Sequence, residues 1–288
     1  MALNLLIYSM KKDFPILDWG GFALLEYLLS KKKFPKKFKV LDIGGALGYH
    51  SKIMRSFGLS VDLIDKYESK AEFKGDFNTH KFKSKYDMVF CSHVIEHQRN
   101  QGAFLDKIYD ILNDDGDLVI SGPKHPAERF IEGHISTTIL PVFLQILIYA
   151  GFDCKNGKMM SLAGIENSFI VKKAKNFNLN ERQETGYKWT EKHQERSPFK
   201  LISGQSLTNT NLALNNCEIF KVHIKESEKD QNGNSKVGLI FDVPKGYKKK
   251  KIKFLIAHSN QFWLFDSKIN ELWNPLKDPS IKHGILEI

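Results

Sequence analysis

Residues 40–51 read VLDIGGALGYHS. Val40 to Ile43 form a short apolar run closed by glycine, the pattern of a buried parallel strand. Gly44, Gly45 and Gly48 then make a turn in which backbone can approach a ligand with no Cβ in the way. The turn enters a helix at YHSKIMRSF, closed by Gly58, whose first N–H groups lack intrahelical partners and can face a ligand. Strand, glycine turn and helix in this order open a βαβ unit.

Working outward, LSVDLID (59–65) predicts a second strand and residues 72–77 a weak third. KYDMVFCS (85–92) and GDLVISG (116–122) predict a fourth and fifth, with FLDKIYDIL (104–112) a helix between them. Upstream, 14–30 reads as a lead-in and an amphipathic helix that begins after a Gly pair. Downstream, 137–150 is an apolar helix, and GFDCKNG and SFIVKKA are two last strand candidates. Strands alternating with helices imply an α/β fold with a doubly wound, mostly parallel sheet. From 199 onward CEIFKVHI, KVGLIFDV, KIKFLIAH and QFWLFD, separated by turn signals at NGN (232–234) and PKGY (244–247), predict a smaller β-rich C-terminal module. The expected organisation is a helical lead-in at 1–37, a ligand-binding domain at 38–175, a polar linker at 176–198 and the β-rich module at 199–288.

Ligands of open α/β sheets bind at the carboxyl ends of the strands. Asp65, ending the second strand, can accept two hydrogen bonds from a ribose diol. Asp76, followed by Phe77, suits an exocyclic amine and a base edge. Ser92 and His93 end the fourth strand.

The composition narrows the function classes. With 288 residues, 42% hydrophobic and 26% charged, the chain is neither disordered nor fibrous. Its net charge of +10 invites a nucleic-acid reading. The excess is local, however. Residues 1–41 hold eight Lys against three acids, and KGYKKKKIK (245–253) holds six Lys, whereas 42–175 hold 17 basic and 17 acidic residues. Charge therefore recruits partners from the periphery only. Cys91, Cys154 and Cys217 are too few and scattered for a disulfide framework, which fits a reducing compartment. The start lacks the features of a signal peptide, and the most apolar stretch, 139–152, is broken by Pro141 and Gln145. A cytoplasmic protein without a membrane span is expected.

Asp42-Ile43-Gly44-Gly45-Ala46-Leu47-Gly48, Asp65, Asp76, KYDMVFCSHVIEH (85–97) and LNDDGDLVIS (112–121) together resemble class I S-adenosylmethionine-dependent methyltransferases of the small-molecule type, similar to the type 11/12 group. The resemblance covers about half of the chain, 38–175, and implies a seven-stranded Rossmann-like sheet with S-adenosyl-L-methionine as cofactor. It places Asp42, Gly44, Gly45, Ala46 and Gly48 beside the methionine end. Asp65 and Lys66 fall at the ribose, Asp76 and Phe77 at the adenine, and Ser92 and His93 at the cofactor rim. Ala46 stands where the family has a glycine. A nicotinamide dehydrogenase would want G-x-G-x-x-G, which Gly44, Gly45 and Gly48 fit badly.

Transfer to an oxygen or nitrogen of high pKa needs a base, and His is the usual choice. His93, His97, His125 and His134 are the candidates. Glu96-His97 can equally cap its loop, and His134 can simply begin a helix. His93-x-x-Glu96-His97 also resembles the Glu-x-x-Glu-His metal-binding arrangement of small-RNA 2′-O-methyltransferases and some quinone O-methyltransferases. His93 replaces the first Glu, and no metal is assigned. The expected acceptor is a small molecule or saccharide. An RNA 2′-O-methyltransferase and a non-catalytic cofactor-binding protein are the alternatives.

Overall fold

A computed structural model describes residues 16–17, 20–31, 33–125, 128–162, 166–183, 188–207, 214–229, 235–241, 253–258, 261–266, 271–273 and 285–287, and from 221 onward the backbone alone. After β1 (Ile16–Leu17) come α1 (Gly21–Ser30), β2 (Lys39–Ile43), α2 (Tyr49–Ser56), β3 (Ser60–Asp65), β4 (Phe73–Lys74) and β5 (Tyr86–Ser92). Then follow α3 (Gln101–Ile111), β6 (Leu112–Pro123), α4 (Leu140–Tyr149), β7 (Phe152–Leu162), β8 (Glu166–Lys173), α5 (Glu191–Glu195) and β9 (Leu214–Asn215).

The central sheet has eight strands in the order β4-β3-β2-β5-β6-β8-β7-β9. The first five run parallel, and β8, β7 and β9 add antiparallel pairs at one side. Seven of the strands are those expected. The eighth, β9, comes from beyond residue 199 and extends the edge beside Met159 and Met160. The strand order reverses at β2, between β3 and β5, which opens the crevice used by α/β folds for ligands.

Period-two alternation sorts side chains to two faces. Val40, Met88, Phe90 and Val119 join one core with α1 and α2, while Leu41, Ile43, Val89, Cys91, Leu118 and Ile120 join another with α3 and α4. Burial on both faces explains why β2 and β5 read as nearly continuous apolar runs.

The first helix is buried all round, from Gly21 to Leu29, rather than amphipathic. Its charged residue, Glu26, is fully buried and accepts backbone N–H bonds from Glu218 (2.6 Å), Ile219 (2.8 Å) and Phe220 (3.0 Å). Lys158 Nζ donates to the same carboxylate at 2.7 Å. The downstream chain therefore closes over the outer face of α1, and Phe220 stacks edge-on against Phe22.

Residues 176–198, polar in sequence, carry a 3-10 turn at Leu179–Gln183 and α5. Arg196, nearly fully buried, pairs with Glu181 at 2.9 Å. Trp189 and His193 pack on Tyr149 at the end of α4. Few aliphatics are needed because a buried ion pair and stacked rings supply the packing.

Beyond these lie β10 (Phe220–Lys229), β11 (Ser235–Phe241), β12 (Lys253–His258), β13 (Gln261–Asp266), β14 (Glu271–Trp273) and β15 (Ile285–Glu287). They form the sheets β10-β11-β15 and β1-β12-β13-β14, the second of which includes the N-terminal β1. The turns at 232–234 and 244–247 and the lysines at 248–251 lie outside the described residues. So do the side chains of Phe262, Trp263, Phe265 and Trp273.

Glu26→Ala leaves three N–H groups and Lys158 short of their acceptor. It is expected to destabilise the protein by about 3 kcal/mol or more in urea denaturation.

Candidate functional site

The site is built at the carboxyl ends of β2, β3, β5 and β6. Asp42, on β2, is buried, and its Oδ2 accepts from Ser51 Oγ at 2.7 Å on α2. Its Oδ1 is buried with no hydrogen-bond partner. Burial pushes this carboxyl up to about 7, against the opposing effects of Ser51 and Arg55.

The glycine turn is shaped by close packing. A Cβ on Gly44 would come within 2.5 Å of Val94, and one on Gly45 within 2.4 Å of Leu63 and 2.6 Å of Asp42 Oδ2. Gly48, in the left-handed region at φ 71°, is the N-cap of α2. Ala46 holds φ 43° despite its methyl group. Its N–H donates to Asp65 Oδ2 at 3.0 Å, which ties the turn to the end of β3.

Asp65 also accepts from the N–H groups of Tyr67 (2.8 Å) and Glu68 (2.9 Å) on Oδ1. Each carboxylate oxygen retains lone-pair capacity for a diol. Asp76 accepts from the N–H of Asn78 at 2.9 Å, which together with Lys66 at 3.4 Å holds its carboxyl below the usual range. Phe77 lies in the core beneath this edge, T-shaped against Phe104 at 5.2 Å, so its ring supports the Asp76 turn from below.

These features suit an adenosyl sulfonium cofactor. The turn leaves no room for Cβ atoms at Gly44 and Gly45, Asp42 offers an orphaned carboxylate oxygen, and Asp65 closes β3 beside the turn. S-adenosylmethionine supplies an activated methyl group when bound, so the chain's own task is to hold and orient the reactants.

Beyond the turn, imidazole and carboxylate side chains form a continuous series. His93 has a left-handed backbone (φ 52°), and its N–H bonds Ser121 O at 3.0 Å. Its Nε2 lies 3.1 Å from Glu166 Oε2, and its Nδ1 lies 3.5 Å from Glu96 Oε1. Glu96 Oε1 in turn lies 3.8 Å from His97 Nε2. The rings of His97 and His134 stand edge-to-face at 5.0 Å, and His134 Nδ1 is 3.2 Å from His125 Nε2. The four candidate histidines therefore converge on one rim. Burial pushes the Glu96 carboxyl up, against His93 and His97. Burial, followed by the neighbouring His97 and His125, pushes His134 down.

Sequence reasoning missed two participants. Glu166, on β8, is buried and also accepts from Gly20 N–H at 2.6 Å and Ser168 Oγ at 3.1 Å. Gly20, at φ 75°, sits so close to Ser92 and Ser121 that a Cβ would reach within 2.2 Å of both hydroxyls. The Gly pair before α1 was the available signal for Gly20. An isolated acid at the start of the last strand carried none for Glu166.

Residues 21–139 match the model of a family described as a methyltransferase domain. No curated protein matches the sequence. Among solved structures, the 1,6-didemethyltoxoflavin-N1-methyltransferase of Burkholderia thailandensis, crystallised with 1,6-didemethyltoxoflavin and S-adenosylhomocysteine, is 17% identical, with a TM-score of 0.42 over 53% of this chain and 76% of its own. A SAM-dependent methyltransferase of Archaeoglobus fulgidus is 19% identical, with a TM-score of 0.41 over 52% of this chain and 93% of its own. A TehB-like SAM-dependent methyltransferase of Corynebacterium glutamicum is 18% identical, with a TM-score of 0.40 over 51% and 86%.

Asp42 gives a pH signature in the cofactor-free protein. Below the unfolded carboxyl value of 3.8 both states are protonated and the native state is unpenalised. Between there and about 7 the unfolded chain ionises while the native residue stays protonated, so stability falls with rising pH by up to about 1.4 kcal/mol per unit. In denaturation series across this window, Asp42→Asn is expected to gain stability relative to the parent as pH rises, with a constant difference above it.

Proposed function

We propose that this chain, whose residues 21–139 match a family described as a methyltransferase domain, is a class I S-adenosylmethionine-dependent methyltransferase that transfers the methyl group to an oxygen or nitrogen of a small-molecule or saccharide-like acceptor with His93 as base. The methyltransferase match and the glycine turn with Asp42 and Asp65 support S-adenosylmethionine as the cofactor. The acceptor class and the base are the proposal.

The observation that carries it is the placement of His93 between two buried carboxylates at the crevice rim. Glu166 holds Nε2 at 3.1 Å and orients the ring, as a carboxylate orients a catalytic imidazole. Nδ1, facing Glu96 at 3.5 Å, is the nitrogen that takes the acceptor proton, and both carboxylates stabilise the imidazolium that results. His97, His125 and His134 stand farther along the same series. Asp42, Gly44, Gly45, Ala46 and Gly48 hold the methionine end, Asp65 and Lys66 the ribose, Asp76 the adenine amine, and Ser92 and His93 the methyl side.

Phe130, Ile135, Ile139 and Val142 are exposed apolar side chains around His134 in sequence, and they suit an acceptor with an apolar part. The even charge of 42–175 supports a small acceptor over a polyanion. The β-rich module at 199–288, behind the segment 176–198, assists acceptor recognition. Within the lead-in at 1–37, α1 packs into the core of the domain at 38–175. No helix among the described residues is long and apolar enough to cross a membrane. Free Cys91, Cys154 and Cys217 suit a reducing cytoplasm.

Assay with isotopically labelled cofactor against small-molecule, saccharide and RNA acceptors tests the acceptor class. Transfer to RNA alone, with affinity falling steeply in salt, overturns it. His93→Gln is expected to lower kcat about 10²–10⁴-fold with the cofactor Kd changed far less. Asp65→Ala is expected to weaken S-adenosylhomocysteine binding by roughly 1.5–3 kcal/mol in calorimetry.

A further inference from the structure

Glu96 is the unsolved electrostatic problem of this rim. Its side chain is 1% exposed, and neither carboxylate oxygen has a hydrogen-bond partner. The imidazole nitrogens nearest to it stand at 3.5 Å and 3.8 Å, beyond normal hydrogen-bond length. A buried carboxylate left in this way is costly unless a cation meets it.

The surroundings are arranged as supports. His97 Nδ1 donates to Gly133 O at 2.8 Å, which fixes the tautomer and leaves the Nε2 lone pair toward Glu96. His125 Nε2 contacts His134 Nδ1 at 3.2 Å, which turns the other ring nitrogen of His134 away from that bond. Outer partners of this kind orient metal-binding imidazoles. The loop that carries His134 is bonded to the turn that carries Glu96: Ile135 N–H and Ser136 Oγ both donate to Glu96 O, at 3.0 Å and 3.3 Å. Gln101 adds bonds to Ile95 O and Ser136 Oγ.

One ligand atom each from Glu96, His97 and His134 lies within 4.8 Å of the others. On a tetrahedral zinc with bonds of roughly 2.1 Å, ligand atoms stand about 3.4 Å apart, so small side-chain movements close the set. We infer that Glu96, His97 and His134 form a binding site for a divalent transition ion of the zinc type, with a coordination position open toward solvent. Two imidazoles and one carboxylate favour Zn²⁺ or Co²⁺ over Mg²⁺, which prefers oxygen ligands. His93, which the sequence spacing paired with Glu96 and His97, is not a member of this set. A metal here removes His97 and His134 from the four candidate proton acceptors and leaves His93 and His125.

The site shares Glu96 with the surroundings of the proposed base but does not rest on that proposal, and its test needs no turnover. The metal-stripped full-length protein is titrated with Co²⁺, followed by visible absorption, and with Zn²⁺ in competition with a chromophoric chelator. One equivalent is expected to bind, with Mg²⁺ failing to displace it. His97→Ala and Glu96→Gln are each expected to weaken binding at least tenfold, while His80→Ala leaves it unchanged. His97 is 44% exposed, so its truncation leaves the core intact, and circular dichroism verifies the fold of each variant. Absence of a Co²⁺ spectrum in the folded parent, or unaltered binding in both His97→Ala and His134→Ala, overturns the inference. Methyl transfer by the stripped enzyme would leave the proposed function standing and would assign the ion no part in the chemical step.

Discussion

The parallel pairing of β2 with β3 on one side and β5 on the other is the constraint on which the rest depends. Because both neighbours run in the same direction as β2, all three strands deliver their last residues to one edge of the sheet. The chain order reverses there, so the connections after β2 and β5 diverge and leave a crevice. Asp42, Asp65 and Ser92 reach that edge through backbone register alone. The glycine turn then packs without Cβ atoms against Leu63 and Val94, side chains of the neighbouring strand and loop.

Buried carboxylates mark where the fold meets its function. Glu26 is satisfied by three N–H groups and Lys158 and serves to hold the downstream chain on α1. Asp117 is satisfied by Tyr27 and Lys31, both at 2.6 Å. Glu166 is shared between a backbone N–H and an imidazole, and so couples the entry to α1 with the crevice rim. Asp42 is satisfied on one oxygen only, and Glu96 on neither. Among the described acids, those left with orphaned oxygens are Asp42, at the end of β2, and Glu96, in the histidine cluster. The same chemistry is thus buried under different degrees of satisfaction.

Much of the fold was legible because a parallel sheet buries both faces. That burial writes unbroken apolar runs such as VLDI and MVFC, with glycine and acid at their ends. Asp65 was legible for the same reason, as an acid closing a strand. The all-round burial of α1 was not legible, because its outer cover comes from residues 218–220, nearly two hundred positions away. The polar stretch 176–198 gave no hydrophobic period. Its order rests on the Glu181–Arg196 pair and on rings stacked at the end of α4.

Local order of residue types thus determined the strand-turn-helix unit, the sheet class and the cofactor edge, since these depend on neighbours within a few positions. Tertiary structure alone decided which histidines stand together. Spacing along one turn grouped His93 with Glu96 and His97. The folded loop adds His134 to Glu96 and His97, and gives His93 a second carboxylate, Glu166, beside Glu96. Hydrogen bonds between Gly133, Ile135 or Ser136 and the 96–97 turn make that choice, and no local pattern encodes contacts between segments nearly forty residues apart.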